Sequence, residues 1–276
     1  MHRTSLREII LFSLITIILA FFIDYLFYLN LGVLDSLTLL AWGALRMYTP
    51  TVTTYIVGGL NPIKSSLKVS RRVIYLYFLA PFVTFLTFSF YILIIYFIGA
   101  FTFNYIERTI QVTSINVPIF LLLTFINVYI AAISLNALYA IGEEIGWRGF
   151  LQQRFESLGL SFVKSSLMVG LVWGVWHASA IILLGYNYPE NRLLGIPLFT
   201  LFTISASIPH SIITKSSSSI LPAASLHGAI NAIWGLTILT TTLPRELAGL
   251  GPIAFISWTA TSLIMFIIFS RMLKQR

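Results

Sequence analysis

The feature that most constrains this chain is a series of long apolar stretches separated by short polar ones. A bilayer core about 30 Å thick needs roughly 20 mostly apolar helical residues to cross it. Eight stretches of about this length occur, and only 9% of the residues are charged, against about 25% in soluble domains. The sequence therefore excludes an ordinary soluble domain and predicts an all-α polytopic membrane protein. The predicted spans are approximately 9–31, 37–59, 74–100, 116–141, 162–184, 194–213, 219–241 and 252–270.

The first stretch is expected to remain as a membrane helix. Its apolar part is longer than that of a secretory signal peptide, and no small-x-small cleavage site follows it. No internal repeat or linker interrupts the remaining spans. We therefore expect one transmembrane domain covering 1–276.

The positive charges predict the orientation. Of the 17 Lys and Arg residues, 13 lie at the N-terminus, in the second, fourth and sixth loops, and in the C-terminal tail. The opposite side holds Arg108, Arg192 and Arg245, and Arg46 lies inside a span. The excess of basic residues in cytoplasmic loops therefore predicts that both termini are cytoplasmic. The net charge of +8 is explained by these loops, so no nucleic-acid partner is expected.

A short motif at the end of the fourth span carries an unusual density of charge. Glu143 and Glu144 are adjacent, and Arg148 follows four residues after Glu144. Residues four apart share a helix face, so Glu144 and Arg148 are expected to form an ion pair. Glu143 points about 100° away and is expected to lack a local partner. The alternative is that both carboxylates are solvated loop charges at the cytoplasmic boundary.

Two further apolar helices carry polar groups that are expensive in lipid. His177 lies in the fifth span after Trp173, and His227 and Asn231 are four apart in the seventh span. An ionisable group costs about 2.5–3.5 kcal/mol on insertion scales. A single buried histidine often has only a structural role, hydrogen-bonded to a backbone carbonyl. Three helices that each carry such polar groups are better explained by a shared functional site.

These residue types suit hydrolysis. A desolvated carboxylate is a better base near neutral pH, and a nearby histidine can share the proton transfer. Histidine and asparagine donors can stabilise the oxyanion of a tetrahedral intermediate. No covalent nucleophile stands out, and the patterns of zinc, aspartyl and serine intramembrane proteases are absent. The sequence thus predicts peptide or amide hydrolysis by an activated water.

Three other polar residues in the spans have less certain roles. His210 follows Pro209 in the sixth span, and a structural role beside the proline kink is favoured. Asp24 has no evident partner. Arg46 either neutralises a buried carboxylate or extends its charged end to the membrane surface.

The order and spacing of the motifs resemble the CPBP family of intramembrane proteases. Glu143-Glu144-x-x-x-Arg148, Trp173-x-x-x-His177 and His227-x-x-x-Asn231 resemble the three motifs of this family, which includes the type II CAAX prenyl endopeptidase and bacterial immunity proteins related to bacteriocin processing. The resemblance covers about 140–235. Trp173 stands where the family often has Phe, a difference in packing and not in chemistry.

The resemblance implies an endopeptidase that cleaves near the C-terminus of a peptide or lipidated protein within the membrane, in a site near the cytoplasmic side of the cell membrane. It implies water activation by Glu143 and His177, an oxyanion role for His227 and Asn231, and supporting roles for Glu144 and Arg148. In the eukaryotic enzymes the substrate is prenylated. The expected partners are therefore membrane lipids and such a substrate.

A metal is the open point in this resemblance. Some descriptions of the family call its members metalloproteases, and Glu143, His177 and His227 could hold zinc with a water in the fourth position. Asn231 is a poor zinc ligand and fits an oxyanion donor better. We therefore expect catalysis without a metal.

Two other functions fit part of the pattern. Intramembrane Glu and His residues also mark transporters and proton relays, but no inverted repeat is visible. A non-catalytic scaffold is the second alternative, and the presence of every motif residue argues against it.

Overall fold

The computed structural model describes residues 2–30 and 36–274, and within these ranges the chain is almost entirely helical. A single isolated bridge between Phe101 and Thr241 is the only β-pairing in that part of the chain. The helices are α1 (His2–Tyr28), α2 (Ser36–Met47), α3 (Thr49–Gly58), α4 (Leu60–Ser66), α5 (Arg71–Leu79), α6 (Pro81–Phe97), α7 (Asn104–Thr113), α8 (Val117–Ile133), α9 (Leu135–Glu144), α10 (Gln152–Ser157), α11 (Phe162–Trp176), α12 (Ala178–Leu184), α13 (Arg192–Ser217), α14 (Leu221–Leu239) and α15 (Pro252–Lys274), with a π-helical segment, Ile145–Leu151, between α9 and α10.

Local sequence signals set many of the helix ends. Ser70, Asn116 and Ser161 cap α5, α8 and α11, each accepting a hydrogen bond from a backbone N–H three residues on, which satisfies a donor that the helix leaves free. Gly185 ends α12 with a φ of 68°, a left-handed conformation that favours glycine. The chain can therefore turn sharply into the loop 185–191.

The apolar helices fit a membrane protein, in agreement with the predicted fold class. By length and composition, five helical stretches of the described residues could cross a membrane, or six if a pair of helices bent by 103° counts as one. The prediction of eight spans is not confirmed by this count. The five are Leu6–Tyr28, Arg71–Phe97, Phe162–Leu184, Arg192–Ser217 and Pro252–Arg271.

Four of the predicted spans contain helix breaks, and the third is divided into α5 and α6 at Ala80. The second is divided into α2 and α3 at Tyr48, because Pro50 begins a new helix. The fourth is divided into α8 and α9 at Ser134, and the fifth into α11 and α12 at His177. Two of these breaks, at Tyr48 and His177, adjoin residues of the candidate site described below.

Helix α14 lies at the centre of the molecule, packed against α5, α6, α8, α9 and α13. Beside it, α11 packs closely against α13. A side chain at Gly170 would bring its Cβ within 2.5 Å of the Cα of Ile204, and one at Gly174 within 2.5 Å of the Cα of Thr200. These two glycines therefore let α11 and α13 approach closely enough to hold their polar residues beside α14.

Candidate active site

The acidic motif lies where regular helix geometry changes. Glu143 and Glu144 end α9, and the following segment Ile145–Leu151 is π-helical, a form that occurs mostly as short insertions and often at functional sites. Gly142 lies against the junction between α2 and α3, where a Cβ would come within 2.7 Å of the backbone oxygen of Met47. The motif is thus buried between helices, so the alternative of solvated loop charges is wrong.

Glu144 is the hub of a buried ion network. Arg148 Nη1 lies 2.9 Å from Glu144 Oε1 and 3.1 Å from Oε2, and both side chains are fully buried. This is the pair that the four-residue spacing predicts. Glu144 Oε1 also lies 2.9 Å from His227 Nδ1, while Arg148 Nη2 donates to Ser207. The network therefore ties α9 to α13 and α14.

Glu143 has partners that the sequence did not predict. Its Oε2 accepts hydrogen bonds from the indole N–H groups of Trp147, at 3.1 Å, and Trp173, at 2.7 Å. The expectation that Glu143 lacks a local partner is wrong, because Trp147 lies one turn away on the same face. Its other oxygen, Oε1, lies 4.0 Å from His227 Nε2. That separation exceeds a hydrogen bond and leaves room for a bridging water.

His177 lies at the break between α11 and α12, with its ring packed against Trp176 and Phe199. Its Nδ1 is 2.9 Å from the backbone oxygen of Trp173. A carbonyl oxygen only accepts hydrogen bonds, so Nδ1 carries the proton and Nε2 of the neutral ring is left unprotonated. The hydrogen bond from His177 Nδ1 to the Trp173 carbonyl therefore leaves Nε2 able to accept a proton.

The four residues predicted to be catalytic line one cavity of about 140 Å³. His227 and Asn231 reach it from one face of α14, as their spacing predicts. Within the described residues the Asn231 side chain makes no hydrogen bond and is exposed. The complete wall is formed by Trp42, Gly43, Arg46, Met47, Glu143, Trp173, His177, Tyr186, Asn187, Phe199, Phe202, His227, Ile230, Asn231, Trp234 and Leu250.

Arg46 lies in the cavity wall, and its contacts decide between the two roles that the sequence left open. Its Nε lies 3.0 Å from Asp24 Oδ1, and both groups are buried. Its Nη2 donates to the backbone oxygen of Trp176, over whose ring the guanidinium stacks at 3.8 Å. Asp24 also accepts hydrogen bonds from Trp42 and Ser179. Arg46 therefore neutralises a buried carboxylate and does not extend to the membrane surface.

His210 lies closer to the site than the sequence suggested. Its Nδ1 bonds to the backbone oxygen of Ala206 at 2.7 Å, whereas the carbonyl that Pro209 frees belongs to Ser205 and accepts from Ser262. The buried His210 Nε2 has no partner in the described part of the chain. In the sequence, the feature that drew attention to His210 was the preceding proline in an apolar helix.

The residues that could hold a metal according to the resemblance are not the set that the structure brings together. Among the described residues, the ligand atoms of Glu144, His210 and His227 lie within 4.8 Å of one another, and Glu143 and His177 are outside this group. Glu144 Oε1 is already shared by Arg148 and His227 at 2.9 Å each. A divalent cation here would stand beside a fixed guanidinium charge, so this donor set fits a metal poorly.

A helical membrane protein with paired carboxylates, histidines and an amide around an internal cavity has the features of an intramembrane hydrolase. The family model described as "Type II CAAX prenyl endopeptidase Rce1-like" matches residues 117–233, so this part of the chain is similar to that family of CAAX proteases. The match supports a CAAX-type peptide hydrolase over the transporter and scaffold alternatives. No curated protein matches the chain.

Proposed function

We propose that this protein is an intramembrane endopeptidase that cleaves a peptide bond near the C-terminus of its substrate with a water activated by Glu143 and His177. The observation that carries the proposal is the pairing of Glu143 Oε1 and His227 Nε2 at 4.0 Å in the wall of a cavity that also contains His177 and Asn231.

Glu143 is suited to hold the attacking water. Two indole N–H groups fix Oε2, so the carboxylate cannot rotate freely and Oε1 remains available to accept from water. The side chain is 2% exposed, and a carboxylate held beside a water can act as its general base. His177 Nε2, unprotonated in the neutral ring, can take the proton onward.

His227 and Asn231 are suited to stabilise the oxyanion. His227 Nδ1 donates to Glu144, which fixes the orientation of the ring. Its Nε2 can donate to the oxyanion when that nitrogen carries a proton. The Asn231 amide supplies a second, neutral N–H donor. In a known hydrolase, one such donor contributes about 2.7–4 kcal/mol to the transition state.

The cavity wall also supports water as the nucleophile. In the described chain this wall carries no Ser, Thr, Cys or Lys, the side chains that commonly form acyl or imine intermediates. The step we propose forms a bond between the water oxygen and the carbonyl carbon. It then breaks the C–N bond, and the proton taken from water passes to the leaving amine.

The family match and the cavity lining support a substrate class. The family name refers to prenyl endopeptidases, and aromatic and aliphatic side chains such as Trp42, Phe199, Phe202 and Trp234 occupy much of the wall. We infer a substrate with an apolar C-terminal segment, prenylated or carrying apolar side chains of its own.

The test is hydrolysis by the purified protein of two peptides that differ only in prenylation. Wild type should release a C-terminal fragment, detected by mass spectrometry, and Glu143→Gln should release none although it folds. Glu107→Gln changes an exposed carboxylate outside the cavity and should keep full activity. Wild-type turnover by Glu143→Gln would refute the assignment.

A further inference from the structure

Arg46 is the only Lys or Arg residue that the described chain contributes to the wall of the catalytic cavity. Most of the remaining wall is aromatic or aliphatic, and the Arg46 side chain is only 4% exposed. A permanent charge in such surroundings is costly unless it is paired. The partners that the N–H groups of Arg46 have, and those that they lack, therefore indicate what the cavity can bind.

Part of the guanidinium group of Arg46 has no partner. The N–H of Nε is shared between the two Asp24 oxygens, at 3.0 and 3.1 Å, and Nη2 donates to the backbone oxygen of Trp176 at 2.8 Å. Within the described residues Nη1 makes no hydrogen bond, and it is not sealed from solvent. Because Arg46 lies in the cavity wall, the N–H groups of Nη1 are available to a ligand in the cavity.

Asp24 and two tryptophan rings hold the guanidinium group in one orientation. The group lies 3.8 Å from the centre of the Trp176 ring and 5.9 Å from that of Trp42. Asp24 also accepts hydrogen bonds from Trp42 at 2.9 Å and from Ser179 at 2.6 Å, so its negative charge is shared among these donors and only part of it acts on Arg46. An arginine fixed in this way loses little conformational entropy when it binds a carboxylate.

The charge of Arg46 lies a short distance from the proposed site of hydrolysis. Its guanidinium carbon is 3.8 Å from the centre of the Trp176 ring, and that ring centre is 4.6 Å from the centre of the His177 ring. The guanidinium group is therefore no more than about 8 Å from the imidazole of His177. An extended chain covers about 3.3–3.6 Å per residue, so two or three residues beyond the scissile bond can bring the end of a peptide to Arg46.

A substrate that is cleaved near its C-terminus brings a negative charge into this cavity. The free α-carboxylate of a peptide is ionised at neutral pH, and its burial among apolar side chains is costly unless it meets a cation or N–H donors. A guanidinium group and a carboxylate form short, charge-assisted hydrogen bonds. Glu143, the acidic residue of the wall, repels a carboxylate. Arg46 is thus the part of the wall whose charge and free donors suit the end of a peptide.

We propose that Arg46 binds the α-carboxylate of the substrate through Nη1, so that the enzyme selects chains with a free C-terminus. Arg46 contacts the substrate away from the reacting bond and takes no part in proton transfer. This inference rests on the proposed function, because it takes the scissile bond to lie beside Glu143 and His177. It defines the substrate by its terminal carboxylate, a feature independent of prenylation and of apolar side chains.

The test compares two peptides of identical sequence, one ending in a carboxylate and the other in a carboxamide. For the purified wild type, kcat/KM should be about ten- to a hundred-fold lower with the carboxamide, the range expected for a hydrogen bond to a charged group, and most of the loss should be in KM. Asp24→Ala/Arg46→Met, which leaves no buried charge at this position, should hydrolyse the two peptides equally well. Arg108→Met changes an exposed arginine of α7 outside the cavity wall and should keep the wild-type preference.

Equal hydrolysis of the two peptides by wild type, or an unchanged preference in the double variant, would overturn the proposal. The affinity of each peptide for Glu143→Gln, measured by isothermal titration calorimetry, separates binding from cleavage. This variant should bind the carboxylate peptide about ten- to a hundred-fold more tightly than the carboxamide, and equal affinities would overturn the role of Arg46. If this preference is present but wild type cleaves neither peptide, the proposed function alone is contradicted.

Discussion

One hydrogen bond of Trp173 allows the role of Glu143 to be tested. Its indole N–H donates to Glu143 Oε2 at 2.7 Å, and hydrogen bonds to charged groups contribute about 1.5–3 kcal/mol. The expectation that Trp in place of Phe at this position affects packing alone is wrong, because the indole N–H contacts the catalytic carboxylate. Trp173→Phe keeps an aromatic ring and removes this donor. We expect kcat to fall by about ten- to a hundred-fold, since 1.36 kcal/mol corresponds to a factor of ten.

The control for Trp173→Phe is Trp258→Phe, which changes a buried indole outside the cavity wall. Steady-state hydrolysis should show a normal rate for this variant. Equal losses of kcat in the two variants would indicate that the change at Trp173 acts through packing and not through Glu143.

The pair of Asp24 and Arg46 yields a prediction about stability. Both groups are buried, and removal of one partner leaves the other charge without compensation, which typically costs about 3–5 kcal/mol. Asp24→Ala should therefore lower the thermal unfolding temperature in detergent markedly. The double variant Asp24→Ala/Arg46→Met should recover much of the loss, because it leaves no buried charge. An unfolding temperature of Asp24→Ala equal to wild type would contradict this account.

The spacing of residues along one helix predicted some contacts of the site, but not those between helices. Glu144 and Arg148 lie four apart on one helix, so their pairing was predictable from local geometry. The bond between Trp173 and Glu143 joins residues 30 apart in sequence on different helices. Such a contact depends on how the helices pack, which a hydropathy pattern does not encode.

At the scale of helices, apolar length predicted membrane segments better than it predicted their continuity. The run 116–141 is mostly apolar and carries no charge, yet the chain breaks at Ser134 between α8 and α9. Hydropathy averages over a span and does not detect one residue with non-helical torsion angles. The break at His177 was equally invisible, although the Trp173-x-x-x-His177 motif marked the position as functional.

The packing of α11 against α13 can be tested with glycine substitutions. A Cβ at Gly170 would lie 2.5 Å from Ile204 Cα and 2.7 Å from the Thr203 carbonyl oxygen, so Gly170→Ala should separate the helices. Overpacking of this kind costs about 1–3 kcal/mol. We expect a lower unfolding temperature and a lower kcat, since Trp173 lies on the same helix.

The matched control is Gly235→Ala in α14, where a Cβ meets no atom within 4 Å. Alanine is favoured over glycine in a helix by up to about 1 kcal/mol, so this variant should be as stable as wild type or slightly more stable. If both alanine variants change the unfolding temperature in the same direction and by the same amount, close packing of α11 against α13 does not explain the effect of Gly170→Ala.

For the whole molecule, the arrangement around Glu144 predicts activity without a metal. Arg148 and His227 already bind the carboxylate that a cation would need. Peptide hydrolysis by the purified protein should be unchanged after prolonged treatment with EDTA or phenanthroline. Loss of activity that stoichiometric zinc restores would show that a metal takes part.

The most direct test of the account is hydrolysis of a C-terminal peptide in water labelled with heavy oxygen, with hydroxylamine present as a trap. Attack by a water held at Glu143 should place one labelled oxygen in the new carboxyl terminus and form no hydroxamate. The Glu143→Gln variant should form neither product. A hydroxamate would reveal a covalent acyl-enzyme, and labelled product from Glu143→Gln would remove Glu143 from the reaction; either result contradicts the mechanism.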